Sequence, residues 1–197
     1  MNNYIYIVAS LPLLNDNFET DSFSYAAVRQ EIVEQLSETD IRLVELLEEG
    51  FNDEALNAEY YAKTATSKNS FIRDYFDFDA RLRNMKAQYL AKRMGKQADN
   101  YLIEMPEAEF NESADIHKIL ENEDFVTREL QMDRLKWNKA SELTTFDYFN
   151  LNSILAFLVK AKLVQRWAEL DTEKGEVMFR QLITEIRGSF EGVNNDN

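Results

Sequence analysis

The sequence is that of a globular and strongly acidic protein. It has 197 residues, of which 45% are hydrophobic, so a sizeable core is available. The 22 Lys and Arg residues against 36 Asp and Glu residues give a net charge of −14, which would repel nucleic-acid phosphates and anionic lipid headgroups. Because Cys is absent, disulfide scaffolds, thiolate metal sites and Cys nucleophiles are excluded. We expect a cytoplasmic protein that does not bind nucleic acid.

The N-terminal residues carry the one β-prone stretch of the sequence. Tyr4 to Val8 is rich in aromatic and β-branched residues, which predicts at most one short strand-like segment without an evident partner. No Lys or Arg precedes this stretch, and its apolar core is too short for a signal peptide. Elsewhere the longest apolar run, Ile154 to Val159, is far shorter than the ~20 residues of a membrane span. These features favour a soluble protein, or one that reaches a membrane only through a partner.

Two helices are predicted next, and we expect them to form a hairpin. Ser22 or Ser24 can cap the first helix, which has a single apolar face formed by Val28, Ile32, Val33 and Leu36. Ser37, with Asp40 three residues later, resembles a capping box with Asp in place of Glu. The second helix then continues through Ile41, Val44 and Leu47 and ends at Gly50.

Long helices dominate the rest of the predicted structure. Ser70 to Met94 has the strongest helical periodicity, and 25 residues at the helical rise make a rod of about 37 Å, with Gly95 suited to a left-handed C-terminal position. Asp147 to Leu170 is apolar around much of its circumference, which predicts the most buried helix. A final helix is predicted over Thr172 to Arg187. With only five Gly and two Pro, the predicted fold class is all-α, as one or more elongated helical bundles with two long helices.

Charge is unevenly distributed and suggests three regions. The stretch from Asp99 to Asp124 is strongly acidic, contains Pro106 and shows little helical periodicity before Ile116. We interpret it as a connector between two helical regions. We therefore predict an N-terminal helical region over 1–96, an acidic connector over 97–124 and a C-terminal helical region over 125–197. The three could also form one continuous domain.

Three aspartates on the long helix, Asp74, Asp77 and Asp79, are the nearest approach to a metal site. Carboxylate oxygens are the ligands that Mg²⁺ prefers, but at about 100° per residue Asp77 and Asp79 point about 200° apart. Arg73, Arg81 and Arg83 offer simpler partners, and Asp79 and Arg83 have the i,i+4 spacing of an intrahelical ion pair. We interpret these residues as structural ion pairs and predict no metal site.

Other routes to catalysis have little support in the sequence. His117, the only histidine, lacks the additional nitrogen or sulfur ligands of a zinc site and reads as a surface or capping residue. No Gly-x-Ser-x-Gly elbow and no glycine-rich phosphate loop is present. Trp137 and Trp167 suit a binding surface, but aromatic residues at helical spacing are more often core. We predict a protein that is not an enzyme and needs no cofactor.

Several stretches resemble a family of uncharacterised bacterial proteins encoded beside subunits of V/A-type rotary ATPases. They are YIYIVASLP (Tyr4–Pro12), FIRDYFDFDARLRN (Phe71–Asn84), LKWN (Leu135–Asn138), FNLNSILAFL (Phe149–Leu158), RWAEL (Arg166–Leu170) and Gly175. Ser10 departs from the glycine expected at its position. Together these stretches cover roughly half of the chain, and their order and spacing carry the resemblance; the acidic connector is not covered.

The resemblance implies a role without a reaction. Such a protein stands in for the C-type (or d) subunit, a non-catalytic helical funnel that joins the central rotor shaft to the membrane ring. Its partners would be the shaft and ring subunits, and the acidic connector would face their basic residues, with Glu107, Glu109 and Glu112 as candidate contacts. Two alternatives stay open: a helical adaptor or assembly factor, and a Mg²⁺-dependent helical enzyme that uses Asp74, Asp77 and Asp79.

Overall fold

The computed structural model describes residues 4–18 and 23–170, and these form eight α-helices and no strand. The helices are α1 Ile5–Ser10, α2 Tyr25–Val33, α3 Glu38–Glu49, α4 Ala58–Ala65, α5 Ser70–Arg93, α6 Ser113–Leu120, α7 Phe125–Glu142 and α8 Leu151–Glu169. Two 3₁₀ turns lie at Asp53–Ala55 and Asp99–Tyr101. The predicted all-α class is confirmed. None of these helices combines the length and the apolarity that crossing a bilayer requires.

The β-prone N-terminal stretch forms a helix, so the strand-like segment predicted over Tyr4–Val8 is wrong. Among the described residues no strand is present to pair with it, whereas the short helix α1 satisfies its own hydrogen bonds and buries Ile7. The backbone N–H of Tyr4 donates to the carbonyl of Phe149 over 2.8 Å. This contact ties α1 to the loop before α8.

Helix α3 begins and ends as predicted, whereas α2 begins at the predicted Ser24 cap and ends at Val33, before the predicted apolar position Leu36. Ser24 caps α2, and the Ser37 hydroxyl accepts from the backbone N–H of Asp40 at the start of α3. The guanidinium of Arg29 on α2 binds Glu48 on α3 through two N–O contacts of 2.8 Å, which joins the pair. At Gly50, where α3 ends, an added Cβ would lie 2.4 Å from both the Phe76 ring and the Tyr60 hydroxyl, so a larger residue does not fit.

The long helix α5 is confirmed with its predicted ends. The Asn69 side chain accepts from the N–H of Ile72 at the first turn, and Gly95 follows the last turn with a left-handed φ of 65°. Asn69 also donates to the side chain of Asn152 at the start of α8 over 2.8 Å. Helices α5 and α8 therefore start at the same end of the bundle and run parallel.

Helix α8 begins four residues later than the predicted Asp147. The Asn150 side chain caps it by accepting from the N–H of Ser153, and the Asp147 carboxylate accepts from the side chains of Asn150 and Asn152 within the preceding loop. A larger share of α8 is buried than of any other helix in the described ranges, as predicted. The predicted helix over 172–187 lies outside the described residues.

Two apolar clusters form the core. The larger one surrounds α8 and takes buried side chains from α1 to α5 and from α7. The smaller one lies where α5, α6 and α7 meet and contains Phe78, Leu82, Ile116, Leu120 and Met132. Helix α6 belongs to the acidic 97–124 segment, so this segment contributes two buried side chains, Ile116 and Leu120, to the smaller cluster.

Candidate functional site

A network of charged side chains crosses the interface of α5, α7 and α8, and it begins at Asp79. This carboxylate is 5% exposed. Its Oδ2 lies 2.8 Å from Arg83 Nε and accepts from the Tyr61 hydroxyl over 2.6 Å, and its Oδ1 lies 3.9 Å from Lys136 Nζ. The structure thus places Asp79 and Arg83 in the i,i+4 ion pair expected from their spacing. Arg83 also binds the exposed Asp53 over 2.8 Å.

The other half of the network centres on Asp133 of α7, which is only 1% exposed. Its Oδ2 accepts from Arg166 Nη1 over 2.5 Å and from the indole N–H of Trp167 over 2.9 Å. Arg166 extends to Glu129, which Lys86 of α5 approaches within 3.4 Å. We name the six residues Asp79, Arg83, Glu129, Asp133, Lys136 and Arg166 the ionic junction. It links α5 to α7 through the Lys136–Asp79 ion pair and α7 to α8 through the charge-assisted hydrogen bonds of Arg166.

The pKa directions agree with this pairing. Burial by itself would raise the pKa of Glu129, but Lys86 and Arg166 outweigh burial and hold that pKa below its usual value. Burial lowers the pKa of Arg166 less than Asp133 and Glu129 raise it, so Arg166 stays charged. Burial, and then the charge of Asp79, raise the pKa of Tyr61 far above its usual value. Glu129 and Arg166 therefore form an ionised pair, and the Tyr61 phenol stays neutral.

A cleft of about 650 Å³ opens beside the ionic junction. Its wall also carries Tyr75, which is 5% exposed and whose pKa burial raises. Of the cations among the described residues that line the cleft, Arg83, Lys86, Lys136 and Arg166 each lie within 4 Å of a carboxylate. Lys162 also lines it and lies over the Tyr25 ring at 5.5 Å. Because the four cations are paired with carboxylates of α5 and α7, the arrangement holds the helices together.

The remaining aspartates of α5 are not brought together. Asp77 binds Arg81 over 2.8 Å one turn later, and Asp74 binds the adjacent Arg73 over 2.9 Å. Each therefore has its own arginine, in addition to the pair at Asp79. Within residues 4–18 and 23–170, no three carboxylate or imidazole groups lie close enough to share a metal ion.

The candidate interface glutamates differ in their surroundings. Glu107 and Glu109 are exposed, whereas Glu112 is half-buried and lies 2.6 Å from Lys139 Nζ. Lys139 also approaches Glu142 within 3.2 Å, and its pKa is raised because these two glutamates outweigh its burial. Glu112 thus contributes to the contact between the acidic segment and α7, while Glu107 and Glu109 face solvent.

The acidic segment is fastened to α5 by one side-chain amide. Asn84 Nδ2 donates to the carbonyl of Ile103 over 2.7 Å, and the N–H of Ile103 donates to Asn84 Oδ1 over 2.8 Å. Arg81 Nη2 adds a bond of 3.1 Å to the carbonyl of Pro106. Between this segment and α4 lies a groove of about 470 Å³, with Phe76 and Asp77 of α5 among its lining residues.

A family model matches this chain over residues 48–110 and 96–189, which together span more than half of it. Its description is Protein of unknown function (DUF2764). The chain belongs to this family. No curated protein and no solved structure gives a match.

Both matched segments of this DUF2764 chain contribute to the ionic junction. Asp79 and Arg83 lie in the first segment, and Asp133 and Arg166 lie in the second. The stretches Phe71–Asn84 and Arg166–Leu170, which carried the resemblance, thus meet in space through α7. All six residues of the junction lie within the ranges that the family model matches.

Sequence reasoning missed the α7 members of the junction in this DUF2764 chain. Glu129, Asp133 and Lys136 recur at the i, i+4, i+7 spacing of one helix face, and that spacing was the available signal. A charged stripe is also what a solvated helix face shows, so the spacing alone does not identify a buried network. Arg166, the partner of Asp133, lies 33 residues further along the chain, so no local sequence pattern connects the two.

The other residues considered from the sequence are His117, Trp137 and Trp167. His117 lies exposed on α6. Trp167 stacks on Phe18 with ring centroids 6.0 Å apart, and Trp137 meets Phe18 edge-on at 5.8 Å. Phe18 is 3% exposed, so the two tryptophans pack against the core. Lys160 also lies over the Trp137 ring at 5.2 Å.

Proposed function

We propose that this chain is a non-catalytic subunit of a V/A-type rotary ATPase, coupling the central rotor shaft to the membrane ring in the manner of the C-type (d) subunit. It would lie in the cytoplasm, peripheral to the inner membrane through the complex. The proposal starts from the resemblance of the stretches around Asp79 and Arg166 to proteins encoded with such ATPases. The helical fold of the described residues is compatible with it.

The observation that carries the proposal furthest is the ionic junction. A coupling subunit must transmit torque between two partners without chemistry, so its helices have to resist sliding past one another. Asp79 and Asp133 are almost fully buried, and each binds a cation on its own helix or a neighbouring one. Separating such pairs leaves buried charges without partners, which is costly. The junction therefore supports the proposal of a rigid subunit that acts by binding its partners.

The exposed acidic surface supplies the second requirement, which is a way to recognise basic partners. Glu107 and Glu109 face solvent on a segment that is anchored to α5 at Asn84. Rim charges of this kind set orientation and association rate more than affinity. Lys and Arg residues on the shaft or the ring are the expected counterparts.

The decisive experiment is affinity purification of a tagged chain from gently solubilised membranes of its own host. We expect ATPase head, shaft and ring subunits in fixed ratio, quantified by mass spectrometry. A matched preparation of the Asp133→Ala variant should recover less of the complex, because the junction is weakened. If the intact ATPase is recovered without the chain, and the chain without the ATPase, the coupling role is wrong.

The same preparation separates the alternatives. An assembly factor would be recovered with partial complexes and would be missing from the mature enzyme. A Mg²⁺-dependent enzyme would lose activity in Asp77→Asn with Asp79→Asn, whereas structural ion pairs predict a lower melting temperature for this double variant. Charge reversal of Glu107, Glu109 and Glu112 should weaken assembly in the coupling role alone.

A further inference from the structure

The groove between α4 and the acidic segment has the dimensions and lining of a binding site. Its volume is about 470 Å³, within the range of ligand pockets. Ala58, Ala62 and Ala65 form one exposed side of α4 facing it, and Ile103 and Met105 line the opposite wall. The small alanine side chains leave room for side chains of another molecule.

The wall formed by the acidic segment offers backbone hydrogen bonds. Ile103 uses both its N–H and its carbonyl on Asn84, and Pro106 uses its carbonyl on Arg81. In the described part of the chain, the backbone groups of Glu104, Met105 and Glu107 make no hydrogen bond to the protein. Leu102 has the extended conformation, with φ −87° and ψ 139°. The free backbone groups of Glu104 and Met105, which line the groove, can therefore form hydrogen bonds with an occupant.

The charge around the groove indicates the chemistry of the occupant. Glu104, Glu107 and Glu109 are exposed and form no ion pair within residues 4–18 and 23–170. The two arginines near the groove, Arg73 and Arg81, are already bound to Asp74 and Asp77. The rim therefore presents uncompensated negative charge above an apolar floor.

We propose that this groove binds an extended, basic segment of a partner protein, which inserts small apolar side chains toward Ala62 and Phe76 and forms hydrogen bonds with the free backbone groups of Glu104 and Met105. Its Lys or Arg residues face Glu104 and Glu107. The groove and its basic occupant follow from the structure alone, and only the identity of the partner, a shaft or ring subunit, rests on the proposed function.

Binding is tested first with a defined probe. A fluorescent hexapeptide of alternating lysine and valine is titrated with the full chain at low salt, and a glutamate–valine hexapeptide serves as the control. We expect the lysine peptide to bind at least about tenfold more tightly, with the difference shrinking as salt rises. Equal binding of the two peptides would overturn the proposal.

Matched variants locate the site. Ala62→Trp fills the groove from an exposed helix position, and Ala114→Trp places the same bulk on the exposed face of α6. Glu104→Lys with Glu107→Lys reverses the rim, whereas Glu121→Lys with Glu123→Lys reverses charge in the same acidic stretch outside the groove. We expect about tenfold weaker binding for the groove variants alone. Retained binding in Ala62→Trp would rule out this groove.

The natural partner is identified by cross-linking. A photoreactive phenylalanine analogue at position 62 is activated in host membranes, and the attached peptide is sequenced. A Lys- or Arg-containing segment supports the proposal, whereas an acidic segment, or no cross-link, contradicts it. If the tagged chain recovers the ATPase and Ala62→Trp does so equally, the groove is wrong and the coupling role stands. If no ATPase is recovered but the lysine peptide binds, the groove stands and the coupling role falls.

Discussion

Asp133 shows how a single buried carboxylate can depend on residues far away in the sequence. It lies on α7, and its two partners, Arg166 and Trp167, lie on α8. Burying a carboxylate between helices is unfavourable unless it accepts hydrogen bonds. Arg166 and Trp167 supply them, and both donate to Asp133 Oδ2. Asp79 repeats this arrangement with Tyr61 and Arg83. The stability of the three-helix interface thus depends on a few charged atoms.

Asp133→Ala should destabilise the protein strongly. Removing this carboxylate leaves the Arg166 guanidinium and the Trp167 N–H without their acceptor, and we expect a loss of about 3 kcal/mol in the free energy of unfolding. The control is Asp53→Ala, since Asp53 is 87% exposed and its bond to Arg83 contributes less than about 1 kcal/mol. Urea unfolding at pH 7 measures both, and equal losses would contradict a structural junction.

Glu129 gives the protein a defined response to acid. Its folded-state pKa lies below the usual 4.5, so ionised Glu129 contributes stability above about pH 4.5, and this contribution is lost as the pH falls through the folded-state pKa. Glu129→Gln should therefore cost about 1–2 kcal/mol at pH 7 and progressively less below pH 4.5. Urea midpoints between pH 3 and pH 7 measure the difference, with the exposed Glu123→Gln as control. A difference that stays constant with pH would exclude this role for Glu129.

The elements of the fold were predictable where a helix carries its own signals. Helices α2, α3 and α5 have their caps and apolar stripes in the local sequence, and all three were found, although α2 ends at Val33 and does not reach Leu36. The strand predicted over Tyr4–Val8 was wrong because β-propensity reflects packing against a neighbouring strand. The described residues form no strand that could pair with this stretch.

The bounds of helix α7, within the helical region predicted over 125–197, and most of the ionic junction were not predicted, for a related reason. Asp133 and Lys136 interrupt the apolar periodicity of α7, and they become favourable on its buried side only through Arg166 and Asp79. Such pairs depend on tertiary contacts. Asp79–Arg83 was predictable because both residues lie on one helix at the i,i+4 spacing.

Asn84 should hold the acidic segment in place beside α5. Asn84→Ala removes the donor and the acceptor for Ile103, so we expect the Ile103 amide to exchange with solvent at least about tenfold faster, while amides in the middle of α5 keep their protection. Asn138→Ala, at an exposed position of α7, is the control. Hydrogen exchange followed by NMR gives the rates, and unchanged protection at Ile103 would show that another contact fixes the segment.

At the scale of the whole molecule, charge separates the surfaces that stabilise the fold from those available to partners. The net charge of −14 is large, yet the buried carboxylates Asp79 and Asp133 are neutralised locally. The excess negative charge therefore lies on exposed surface such as that of Glu107 and Glu109. This division lets association respond to salt while the core does not.

Charge reversal should distinguish these two kinds of surface. Glu107→Lys with Glu109→Lys should leave the melting temperature almost unchanged and reduce recovery of the partner complex, most clearly at low salt. Glu112→Lys should also cost about 1 kcal/mol of stability, because it places a cation beside Lys139. Thermal unfolding and quantitative co-purification measure the two effects. If the double variant unfolds at a much lower temperature, its carboxylates belong to the fold.

The amide clamp at Asn84 has a consequence for how the chain can vary in length. Residues 95–101 connect the end of α5 to Leu102 and Ile103, but the bonds from Asn84 to Ile103 determine where this part of the acidic segment lies. Extending a loop costs little free energy when its ends are fixed by other contacts. Insertions near Lys96 and Gln97, both exposed, should therefore be tolerated, and this turn is a natural place for length differences or for an inserted tag.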